Sequence, residues 1–81
     1  MDNKVAIVAI IVERGSSVDG INSVLHEYSE FIIGRMGVPY RKKGINIISV
    51  AVDAPEKTVE ELAAKVGALD GVSSNTVYSV G

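Results

Sequence analysis

The stretch HEYSEFIIGRMGVPYRKKGINIISVAVDA, His26–Ala54, decides how this chain folds. Two runs rich in strand-forming residues, Phe31–Pro39 and Ile45–Asp53, flank the polar loop Tyr40–Gly44, whose length suits a β-hairpin. In the middle of the first run stand Gly34, Arg35, Met36 and Gly37. Glycine weakens a strand interior, and an arginine placed there needs a partner or solvent. The hairpin is therefore both the topological centre of the chain and the place where its residues suit a plain scaffold least.

Upstream of the hairpin, Val5–Val12 is a continuous β-branched run that ends at polar Glu13–Ser17, the pattern of a buried strand. Ser16 or Ser17 suits a helix cap, and Asp19 falls in the favoured first turn. Val18, Ile21, Leu25 and Tyr28 then form one apolar stripe, which predicts a helix over Val18–Glu30, weakened at Gly20. Downstream, Asp53-Ala54-Pro55 opens a second helix over Glu56–Ala68, with a stripe of Val59, Leu62, Ala63, Val66 and Leu69. Asp70-Gly71 is a turn, and Val72–Val80 is a last strand. The order β-α-β-β-α-β specifies an α+β, ferredoxin-like sandwich, with two helices on one face of a four-stranded antiparallel sheet. The expected strand order is 4-1-3-2, which puts the Gly34–Gly37 strand at an edge, where Pro39 is tolerated.

Eighty-one residues make a single domain, 1–81, near the size at which one core is only marginally sufficient. Such domains commonly add a disulfide, a metal or a partner chain. The chain has no cysteine, which closes the disulfide route and removes thiolate or Fe–S ligation. His26 is the single histidine and so the only histidine available as a metal ligand; a site would need carboxylates or a second subunit. Net charge is −2, so no global basic field draws the chain to nucleic acid, and the basic tip Arg41-Lys42-Lys43 lacks interleaved aromatics. The longest apolar run is too short to span a bilayer, and no cleavage signal follows it. The expectation is a soluble cytoplasmic protein without a membrane segment. No nucleophile–base pair or paired-carboxylate arrangement is visible, so the chain reads as a non-enzyme.

With helices on one sheet face only, central strands should alternate apolar and polar. Here the first strand offers Val5, Ile7, Ala9 and Ile11 on one side and Ala6, Val8, Ile10 and Val12 on the other. An open face this apolar is an aggregation hazard. A second copy of the same sheet would cover it, giving a homodimer or a tetramer; the alternative is that small Ala and Ser residues leave a tolerable wet face. On the second strand, placing Met36 and Val38 in the helix-side core turns Arg35 and Gly37 toward the open face. Gly37 would let a ligand or a neighbouring backbone come close, and Arg35 would present a forked donor to a carboxylate or phosphate. Arg35 could equally pair with an acidic group of a neighbouring subunit. His26, Arg35 and Gly37 are thus the candidate ligand- or interface-binding residues, grouped at one rim between subunits because the helix bearing His26 runs into the strand bearing Arg35.

LHEYSEFIIGRMGVPY (Leu25–Tyr40), followed by INIISVAVDAP (Ile45–Pro55) and GALDGVSSNTVYS (Gly67–Ser79), resembles a family of small bacterial proteins. These are named as regulators of the iron-only hydrogenase system and have an ACT-like, ferredoxin-like domain. The resemblance implies a regulatory role and leaves ligand and cofactor unknown; joined to the rim site read above, the expectation is a regulatory or sensor module that binds a small ligand or a partner protein between subunits. A metal-binding accessory protein for hydrogenase maturation, using His26, is the alternative. A wider likeness is to the C-terminal sensing domain of nickel-responsive repressors. There, His26 keeps the helix histidine position, but Gly37 and Pro39 stand where that family has His-x-His, and Ile45 stands where it has cysteine. Its nickel site is therefore not carried over. Its DNA-binding domain has no counterpart either, so regulation would pass through a partner or a small ligand.

Overall fold

The computed structural model describes residues 2–80; Met1 and Gly81, the ends of the expected domain, lie outside the described residues. Strand β1 (Asn3–Val12) leads through a 3-10 turn into helix α1 (Val18–Glu27). Strands β2 (Ile32–Tyr40) and β3 (Ile45–Pro55) form the hairpin, followed by helix α2 (Glu56–Gly67) and strand β4 (Val72–Tyr78). Every neighbouring pair is antiparallel and the sheet order is β2-β3-β1-β4, the ferredoxin-like topology. No helix among the described residues is long and apolar enough to cross a membrane.

The core follows from alternation along the two central strands. Ala6, Val8, Ile10 and Val12 of β1 and Ile48, Val50, Val52 and Ala54 of β3 are buried beneath the apolar stripes of the helices. Those stripes are Ile21 and Leu25 of α1 and Val59, Leu62 and Val66 of α2. Helix α1 is shorter than expected. Tyr28 leaves helical geometry (φ −107°, ψ 19°), and Ser29–Phe31 forms a separate 3-10 turn. Ser17 precedes α1 but does not cap it; its buried hydroxyl donates to the Asp70 carbonyl and ties the two ends of the chain's loops together. Gly20 has a packing reason: a Cβ there would sit 3.1 Å from Leu69 Cδ2. Gly71 adopts φ +71° and an added Cβ would strike the Arg14 side chain, so this turn needs glycine on both counts.

The phase of β2 differs from the expectation. Ile32 pairs with Val52, but the next pair is Gly34 with Ala51, so Ile33 is an extra residue at a β-bulge. One extra residue exchanges the faces of a period-2 strand. Arg35 therefore pairs with Val50 and Gly37 with Ile48, both core residues, and the two lie on the helix side rather than on the open face. Met36 and Val38 face the open side, 65% and 49% exposed. The packing reason is coverage: α1 only overhangs the edge strand, so all of β2 beyond Ile32 is exposed and its apolar residues gain nothing by facing the helices.

Candidate functional site

Helix α1 and the edge of β2 build a groove from residues close in sequence. Asn22 and His26 are four apart and so share one face of α1. The 3-10 turn after α1 places Ser29 beside them and delivers the chain to Ile32 and Arg35. Together with Leu25 these residues line a depression of about 340 Å³. Its floor is apolar, from Leu25 and Ile32, and its rim is polar. A second depression of about 220 Å³ lies further along β2, between Val18, Gly37, Val38, Pro39, Asn46 and Ile48.

Asn22 and Arg35 line both depressions and separate them. Arg35 Nη2 donates to Asn22 Oδ1 at 2.9 Å, which holds the guanidinium across the groove. The partner is a neutral amide. The ion pairs among the described residues are Lys4–Glu56, Arg14–Asp70 and Lys65–Glu27, and none involves Arg35. The guanidinium therefore keeps its charge and donors for an oxyanion, which its planar fork suits geometrically.

Of the residues singled out in the sequence, His26 and Arg35 share the first depression, and Arg35 and Gly37 share the second. His26 and Gly37 lie on opposite sides of the Asn22–Arg35 bridge. Gly37 has ordinary strand geometry, and a Cβ there would meet only Ile48 Cγ1, at 3.9 Å. The fold does not require glycine at this position; its lack of a side chain leaves the second depression open. Sequence reasoning passed over Asn22 and Ser29. The signal for Asn22 was its four-residue spacing from His26, which puts a short amide on the helix face that meets the strand. No group of three or more His, Asp or Glu side chains that could hold a metal ion is assembled among the described residues.

Residues 4–76 match the TM1266-like family, whose description reads "Iron-only hydrogenase system regulator, putative". The chain is also similar to a solved structure, that of the uncharacterized protein TM1266 from Thermotoga maritima. The two share 31% identity over 95% of this chain and 98% of that one, with a TM-score of 0.90. No curated protein matches.

Proposed function

This chain belongs to the TM1266-like family, and we propose that it acts as a regulatory sensor of an iron-only hydrogenase system that binds a small anion in the groove between α1 and β2. The observation that carries this reading is the Arg35 guanidinium, held over an apolar floor by the neutral Asn22 amide with no carboxylate paired to it among the described residues. Its free donors, with the Ser29 hydroxyl and the His26 imidazole at the same depression, suit a carboxylate or phosphate group. The groove is open along the outer edge of β2, a strand with no neighbour on that side. A further subunit at that edge, distinct from any copy packed on the open sheet face, would close it, put the ligand between subunits and make occupancy readable as a change in assembly.

The test is made in cells that carry an iron-only hydrogenase, with this gene replaced in turn by Arg35→Ala and Arg35→Lys. Hydrogenase regulation is expected to be lost in both, because an ammonium does not reproduce the planar fork. Regulation that persists in Arg35→Ala, with the protein present at its normal level, overturns the reading.

A further inference from the structure

We infer that the open face of the sheet is the contact between two copies of this chain, packed with strands antiparallel about a two-fold axis that crosses the strands over Met36, Ser49, Ala9 and Asn75. This inference is independent of the groove beneath α1, which lies on the opposite side of the sheet.

The register arranges the open face in rows that run across the strands. The row Val38–Ile47–Ile11–Ser73 lies on one side of Met36–Ser49–Ala9–Asn75, and Gly34–Ala51–Ile7–Val77 lies on the other. No charged residue stands in these three rows. Ile7, Ile11, Ile47, Val38, Met36 and Val77 are each more than 40% exposed. A rotation about the middle row sets each strand over its own copy and exchanges the outer rows. Val38 then faces Gly34, Ile47 faces Ala51, and Val77 faces Ser73. At three of the four strands a larger side chain meets a smaller one.

The surface relief fits that exchange. A depression of about 240 Å³ lies over Gly34, Ser49 and Ala51, where Val38 and Ile47 of the second copy would enter. Another of about 290 Å³ lies over Ser73, Asn75 and Ala9, where the second copy's Val77 would enter. Gly34 supports the same placement. Its φ lies outside the left-handed region and a Cβ built there meets nothing within 4 Å, so apart from its place beside the Ile33 bulge nothing inside one chain calls for a glycine. A close neighbour across the face does.

Size and polarity select this occupant and this orientation. Four strands of this length present a face on the order of 600 Å². Two such faces bury about 1,200 Å², the lower end of what specific interfaces use. A two-fold axis along the strands would also pack the faces, but it sets apolar β2 over polar β4 and puts Met36 on Asn75. The axis across the strands keeps Met36 on Met36 and Asn75 on Asn75.

Because the chain has no cysteine, Met36→Cys and Asn75→Cys each introduce a single thiol at an exposed position. Each variant is treated at micromolar concentration with a bis-maleimide spanning about 10 Å, the usual spacing of packed sheets. Both are expected to give cross-linked dimer as the main product. Adding Ile7→Glu to either should abolish it while leaving the far-UV spectrum unchanged; if Ile7→Glu disturbs the fold, Val77→Glu serves the same purpose. Wild-type chain that sediments as a monomer at this concentration overturns the inference. So does cross-linking confined to a mixture of the two cysteine variants, which would place the axis along the strands.

Discussion

Arg35 donates to Asn22 beneath α1, although strict alternation from the apolar residues of its own strand would put it on the opposite face. The one-residue bulge at Ile33 makes the difference. It turns a cation that would have sat among the exposed apolar residues of the sheet into the bridge of a groove, and it leaves the three central rows of the open face free of charge. Two surfaces with different chemistry follow from one extra residue.

Arg35→Ala is expected to change unfolding free energy by less than about 0.5 kcal/mol, since the side chain is exposed and loses one hydrogen bond to a neutral amide. Urea unfolding of the two proteins measures it. A loss of several kcal/mol would make Arg35 a part of the scaffold rather than of a binding groove.

Gly37→Val should leave the fold intact and its stability equal or slightly raised, because a Cβ there meets only Ile48 at 3.9 Å and valine suits a strand. The added side chain fills the second depression, so any ligand reaching past Arg35 toward Pro39 is bound more weakly. Thermal unfolding with and without inorganic phosphate reads both effects in one experiment.

The two faces of β1 should respond in opposite ways to truncation. Ile10 is 1% exposed, and Ile10→Ala is expected to cost about 2–5 kcal/mol at any protein concentration. Ile7 is 47% exposed within one chain, so the cost of Ile7→Ala should be small in dilute samples and grow with concentration as the wild-type copies associate. Unfolding curves at two concentrations, a hundredfold apart, separate the cases.

Alkaline pH should destabilise the fold. Burial holds the Tyr78 phenol above its ordinary value of 10.0, with Glu56 and Glu60 adding to the shift. The Tyr28 hydroxyl, followed by Glu27, holds the Lys65 ammonium above its ordinary 10.5. In both cases the unfolded chain releases its proton first. The stabilisation is therefore fully present below about pH 10 and is lost as pH rises through the folded values. Tyr78→Phe should lose less melting temperature than wild type between about pH 9 and pH 11.

Much of the fold was legible in the sequence because burial imposes two periods. The stripes of α1 and α2 recur every three to four residues, and the alternation of β1 and β3 separates a core face from an open one. Strand order follows from the element order alone. The phase of β2 was not legible, because a bulge is a backbone event with no composition of its own at Ile33. Assigning Met36 and Val38 to the core assumed that the helices cover the edge strand as they cover the centre. The end of α1 was misplaced for a related reason: Tyr28 continues the apolar stripe, yet it reaches the core from a residue already outside helical geometry. At the candidate site, His26 and Arg35 share one depression and Arg35 and Gly37 another, and the bulge puts Arg35 and Gly37 on the helix side of the sheet instead of the open face expected from alternation. Asn22, the residue that joins their two depressions, was left as ordinary helix surface.

The groove between α1 and β2 is proposed as an anion site. Titrating inorganic phosphate into ¹⁵N-labelled protein while recording amide shifts tests it residue by residue. Saturable shifts gathered at Asn22, His26, Ser29, Arg35 and Gly37, absent in Arg35→Ala, are expected. Shifts spread evenly over the exposed lysines, or the same pattern persisting in Arg35→Ala, would contradict it.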